Sequence, residues 1–150
     1  MANKFNFNEA LYKIKSLDIS LDLANTAKND FLNNFRAQGF DGKNWQEVQR
    51  RISGTKSYKY PKTKDQGRKT RAILQGKGSG RLRKDVSNSV NRGVKNSNLS
   101  YTLIVKNPYA EYLNEGTNKM PKRQFVGLTR KLNDDLLKKI TQKINPIWEI

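Results

Sequence analysis

Residues 9 to 38 carry an apolar repeat that constrains this chain more than any other feature. Leu11, Ile14, Leu17, Leu21, Ala24, Ala27, Phe31 and Phe35 recur at three- and four-residue steps, the spacing of one helical face. Lys13, Lys15, Asp18, Asp22, Lys28, Asp30 and Asn34 fill the intervening positions, and most of that remainder is polar. Asn8 is placed to cap the start with Glu9 in the first turn, and Gly39 is a natural stop. The spacing predicts one long helix, or two halves joined near Asp18 to Asp22, where Ile19 and Leu23 widen the apolar surface. A stripe of this length needs a sheet or a second helix to cover it.

Beyond Gly39, the turn cluster Phe40-Asp41-Gly42-Lys43-Asn44 leads to Trp45, whose position predicts a packing anchor. Trp45 to Ile52 has the spacing of a short helix, with Trp45, Val48 and Ile52 on one side. Residues 50 to 84 then change character: thirteen Lys or Arg stand against one acid, Asp65. Only Ile52, Ala72, Ile73, Leu74 and Leu82, beside Tyr58 and Tyr60, offer apolar surface there. That is too little for a core, so residues 50 to 80 are expected to form an extended basic arm ordered by a partner. A β-hairpin tip is expected around Ser57 to Lys64, with Ile73-Leu74 as the point of return.

Gly78-Ser79-Gly80-Arg81-Leu82 opens a short helix or turn that carries Leu82 and Val86 inward. Val90 to Lys95 and Leu99 to Asn107 read as two antiparallel strands around Asn96-Ser97-Asn98. Pro108 ends the second strand, and Tyr109 to Asn114 forms a short helix closed by Gly116. Its Tyr109, Tyr112 and Leu113 are expected to anchor it on the sheet. Leu128, Leu132, Leu136 and Ile140 mark a last helix over Val126 to Ile144, stopped by Pro146. The tail Ile147-Trp148-Glu149-Ile150 is apolar enough to tuck back onto that helix or dock on a neighbour. The order of elements gives an α+β domain spanning residues 1–150. In it the long N-terminal and C-terminal helices pack on a small antiparallel sheet.

Charge and composition narrow the function classes. Thirty Lys+Arg stand against 13 Asp+Glu, a formal net charge of +17 in 150 residues, and hydrophobic residues make up only 35%. Such a balance selects acidic partners: nucleic acid, an acidic protein surface or a polyanionic lumen. Cysteine and histidine are both absent. This rules out disulfides, thiol nucleophiles and Ser-His or Cys-His dyads, and the zinc sites those residues build. The pair Asp134-Asp135 diverges by about a hundred degrees on a helix. Glu111 and Glu115 share a face but lie among lysines and arginines. No enzyme, cofactor or metal is therefore expected. Gly76-Lys77-Gly78-Ser79-Gly80 lacks the order of a phosphate-binding loop and no strand precedes it, so a turn is the expectation. The N-terminal residues lack a signal-peptide core and no 18-residue apolar run occurs, which points to assembly in a cytoplasm and no membrane partner.

Three short motifs follow one another in the second half. Gly80, Leu82 and Arg83 stand in "SGRLRKDVSNSV"; Tyr109, Ala110, Gly116 and Thr117 in "YAEYLNEGT"; Met120, Pro121, Arg123 and Phe125 in "MPKRQFVG". Together with the Gly-Phe-Asp-Gly-Lys-Asn-Trp stretch, this order resembles the Mu-like phage virion morphogenesis proteins and the related minor tail-component and tail-completion proteins. The resemblance runs from the first helix to about residue 140, apart from the basic arm. Lys122 and Gln124 depart from the family's usual Ala and Pro, and Asp85 replaces a small polar residue. The resemblance implies a non-enzymatic tail terminator or neck protein of the virion. Such a protein assembles as a ring, commonly hexameric, between head connector or adaptor and tail tube, with packaged DNA a further, non-specific contact.

On that basis the interface is expected to use Lys56, Tyr58, Lys59, Tyr60, Lys62, Arg68 and Arg71 of the arm. Glu111, Glu115, Lys119 and Arg123 are expected to face a neighbour from the stretch 109 to 125, and Trp148 from the tail. Charge reversal at Arg123 should then weaken ring assembly without unfolding the subunit. From a different class, the alternative is a small basic nucleic-acid-binding protein, with lysines on phosphates and tyrosines stacking on bases. No helix-turn-helix, finger or ribonucleoprotein motif accompanies it.

Overall fold

The structure is a computed structural model and describes residues 6–61, 67–75 and 80–148. Its elements in chain order are α1 (Phe7–Ser16), α2 (Ser20–Ala37), β1 (Gly39–Phe40), β2 (Lys43–Asn44) and α3 (Lys56–Lys59). They continue as α4 (Arg81–Ser87), β3 (Val94–Ser97), β4 (Ser100–Thr102), α5 (Ala110–Glu115) and α6 (Arg130–Trp148). The fold is α+β, with α2 at its centre, touching α4, α6, β1, β3 and β4.

The first apolar repeat forms two helices rather than one. Asn6, not Asn8, caps α1, its Oδ1 accepting from the Glu9 amide at 3.2 Å. The break at 17–19 is held from outside by the turn between β3 and β4. Asn98 Nδ2 donates to the Lys15 carbonyl at 3.0 Å, the Ser20 amide donates to the Asn98 carbonyl at 3.3 Å, and Lys95 Nζ meets Asp18 at 2.6 Å. That Lys95 contact, more than anything else, holds the exposed Asp18 carboxyl below its ordinary pKa. With Ile19 only 6% exposed and Ser20 2%, the break is a packed joint between the halves.

The strands are shorter than expected and make two separate hairpins. β1 pairs antiparallel with β2, Gly39 opposite Asn44; β3 pairs antiparallel with β4, Val94 opposite Thr102, with an irregularity between Lys95 and Ser97. Trp45 to Ile52 is not helical: 45–48 are irregular and a turn begins at Gln49, while Trp45, 8% exposed, is buried as the anchor expected of it. The core gathers Phe31 and Phe35 of α2, Trp45, Ile73, Leu82 and Val86 of α4, Phe125, and Leu132 of α6. Leu82 and Val86 are one helical turn apart, so a single face of α4 enters it.

The last helix starts at Arg130, four residues later than expected. Gly127, at φ 155°, is not helical, so the helix cannot run from Val126; before it, Asn114 Oδ1 accepts from the amides of Phe125 and Val126 at 3.1 and 3.0 Å. Thr129 then caps the helix, its hydroxyl accepting from the Leu132 amide at 3.0 Å and donating to Asp30 of α2 at 3.1 Å. At the other end α6 runs through Pro146, because Ile147, 6% exposed, is anchored in the interior.

Burial raises the pKa of Asp30, with its Thr129 bond acting in the opposite direction. A carboxyl whose native pKa is raised contributes stability fully only below its unfolded value of about 3.9, and loses it as pH rises through the native value. Asp30→Asn, which keeps an acceptor for Thr129, is therefore expected to gain on the parent between pH 4 and 7 and to match it in stronger acid. Urea midpoints across pH check this; a gap that widens toward acid refutes it.

Candidate interaction surfaces

The stretch 109 to 125 is a structural joint built around Phe125. Gly116 ends α5 at φ 78°, where a Cβ would fall 2.8 Å from the Lys122 amide nitrogen. Only glycine lets the chain double back there. The turn closes with Thr117 bridged to Met120, and the Arg123 amide returns to the Leu113 carbonyl at 2.9 Å. Phe125 is then clasped by polar side chains from three directions. Asn114 takes its amide, Asn34 of α2 donates to its carbonyl at 3.1 Å, and Trp45 Nε1 donates to the preceding Gln124 carbonyl at 2.7 Å. Its ring, 1% exposed, lies 5.2 Å from that of Phe35, which meets Trp45 edge-on at 5.9 Å.

Arg123 belongs to this interior and is not free to face a neighbour. It is 8% exposed, and its Nε and Nη2 both donate to the Gln46 carbonyl at 3.2 Å. Burial lowers its pKa, with nearby Glu47 acting the other way. The expectation of a surface role at Arg123 is thus overturned, because the planar guanidinium ties the joint to the turn after Trp45. The anchoring expected of Tyr109 and Tyr112 is corrected as well. Both residues are open to solvent, 67% and 54% exposed, and of the three expected anchors Leu113 packs against the core, together with Ala110. Glu111, Glu115 and Lys119 are exposed; Glu115 pairs with Lys122 at 3.5 Å. Trp148 is 48% exposed beside the buried Ile147, and lies within α6 rather than on a separate tail.

The described part of the basic arm folds back on the body instead of extending. Thr55 caps α3, so the expected hairpin tip at Ser57 begins as a helical turn. Lys62 to Lys64 of that tip, and 76–79 of the glycine-rich stretch, lie outside the described residues. Arg50 staples the segment, its Nε donating to the Arg68 carbonyl and its Nη2 to the carbonyls of Arg71 and Ala72, each at 3.1 Å. Burial first, and then the neighbouring Arg71, Arg51 and Arg123 charges, lower the pKa of Arg50. Gln38, left-handed at φ 50° after α2, fixes the point of return: its Oε1 accepts from the Ile73 amide at 3.0 Å and from Arg51 at 3.1 Å. Ile73 is consequently only 4% exposed.

Among the expected contact residues of the arm, Lys56, Lys59 and Tyr60 are exposed, Tyr60 at 77%. Arg68 is partly buried and donates to the Ser57 carbonyl and hydroxyl. Arg71 is partly buried at the staple, its carbonyl accepting from Arg50. Tyr58 is half-covered, with Lys69 Nζ 3.7 Å over its ring, a cation–π pair that occupies one of its two faces. The residues that build this region, Asn34, Gln38, Arg50 and Asn114, were not legible in the sequence as contact makers. Their partners stand tens of residues away, or, for Asn114, across a chain reversal. Among the described residues no three acidic side chains gather as a metal would require, and no helix is long and apolar enough to cross a membrane. Comparison with known protein families, curated proteins and solved structures finds no match for this chain.

Proposed function

We propose that this chain is a structural component of a tailed-phage virion, a tail-completion or neck protein that acts by assembling into a ring. The observation that carries the reading is how much large apolar surface the folded subunit leaves in water. Phe7, Tyr12, Tyr60, Tyr109, Tyr112, Leu128 and Leu137 are each more than half exposed. Apolar surface on a folded chain marks contact with other macromolecules where it is contiguous, and Tyr109 and Tyr112 stand three residues apart at α5, on one side of it. The motif residues support the same reading, since Leu82, Gly116, Arg123 and Phe125 serve packing and chain reversal, as a scaffold requires. In a ring, each subunit offers one surface to the next and a different one to the previous, and a rotation that closes gives a defined copy number. The purified protein is expected to give a discrete closed oligomer, a hexamer, in native mass spectrometry, and to co-purify with particles. A chain that stays monomeric at all concentrations and is absent from particles would overturn the proposal.

The nucleic-acid alternative draws on the exposed Lys56, Lys59 and Tyr60. It requires DNA or RNA binding by the monomer, with affinity falling steeply in log salt. The cover of Lys69 on one face of Tyr58 weighs against base stacking on that face.

A further inference from the structure

A cleft of about 510 Å³ opens between α2, α4 and residues 72–75. Leu32, Ala72 and Leu74, partly exposed above the buried Phe35 and Ile73, give it an apolar floor, and Arg36, Arg83 and Lys84 stand exposed at its margin. Among the described residues no carboxylate lines it. Arg36 donates to the neutral Asn33 side chain at 3.2 Å, and the ion pairs among the described residues involve none of these three cations. Two wall residues, Gln38 at φ 50° and Leu74 at φ 62°, hold a left-handed backbone that non-glycine residues seldom adopt. The bond from the Ile73 amide to Gln38 fixes both sides of that wall, so the cleft is preformed.

We propose that this cleft docks an acidic peptide segment of a partner protein, with one apolar side chain on the floor and flanking carboxylates against Arg36, Arg83 and Lys84. Charge complementarity selects the acid, and the floor selects the peptide. A nucleic-acid backbone would meet the cationic margin but leave the partly exposed Leu32, Ala72 and Leu74 in water. A second copy of the chain is less well equipped, because Glu9, Asp18, Asp22, Asp85, Glu115 and Asp135 are engaged by cations of their own subunit, which leaves Glu111 and Asp134 as the exposed carboxylates outside the ion pairs among the described residues. This inference is independent of the virion reading.

An array of short peptides tests it on the full chain, each peptide carrying several Glu or Asp around one Leu, Phe or Trp. A matched array has Gln and Asn in place of the acids. The acidic set is expected to bind and the amide set not. Replacing the central apolar residue by Ser is expected to weaken the best binder at least about tenfold, as is Arg83→Glu/Lys84→Glu in the protein. Lys138→Glu/Lys143→Glu, an equal charge change on α6, should leave binding unchanged, and both variants should keep the parent's urea midpoint. Equal binding of the two arrays, or an equal loss from both charge variants, overturns the proposal. So does displacement of the peptide by short single-stranded DNA more readily than by unlabelled peptide, or a concentration-dependent dimer that the peptide dissociates, since these assign the cleft to nucleic acid or a second copy.

Discussion

Phe125→Ala is expected to lower the unfolding free energy by about 3 to 5 kcal/mol, the range for removing a buried aromatic ring. The ring is 1% exposed and lies against Phe35. The upper part of that range is expected because the cavity cannot collapse. Asn114 and Asn34 pin the Phe125 backbone, and the Trp45 bond to Gln124 holds the residue before it. For a chain of this size the loss corresponds to a fall in Tm of roughly 10 °C or more. Thermal and urea denaturation measure it, and a loss below about 1 kcal/mol would show that the clasp around Phe125 is not the centre of the fold.

Arg123→Glu is expected to be nearly as damaging, with a loss of about 3 kcal/mol or more. The substitution removes both donors to the Gln46 carbonyl and brings a carboxylate into a buried position near Glu47. Arg123→Met keeps much of the side-chain volume and deletes only the donors, so its cost should be smaller, about 1 to 3 kcal/mol. The pair of variants separates charge from packing. If Arg123→Glu unfolds at the parent's urea midpoint while altering oligomer formation, Arg123 acts at a subunit contact and the buried geometry is wrong.

Several features were legible because their causes are local. The apolar repeat of residues 9 to 38 marks a helical face whatever lies around it. Gly116 marks the end of α5 because its backbone permits φ 78° by itself, whereas Gln38 makes the left-handed turn after α2 ahead of Gly39, and Pro108 stands six residues beyond the end of β4. Trp45 reads as an anchor because so large an apolar ring after a turn has few other uses. The net charge of +17 follows from counting and bears on partners rather than on fold. Arg123 shows the opposite case. Beside Lys122 in a loop, it has the local appearance of a solvated pair; only the carbonyl of Gln46, brought up from 77 positions away, makes it interior.

The sequence by itself determined the α+β class, the central amphipathic helix and the turn positions, since periodicity and backbone preference act within a few residues. Tertiary structure decided between one helix and two halves in the first repeat, through the grip of the Asn98 turn, and it alone decided that the last helix waits until Thr129. It likewise decided that the described part of the basic segment folds back through Arg50 and Gln38. Those outcomes depend on which distant amide or carbonyl a polar side chain meets, and a buried polar group must find a partner wherever the fold supplies one.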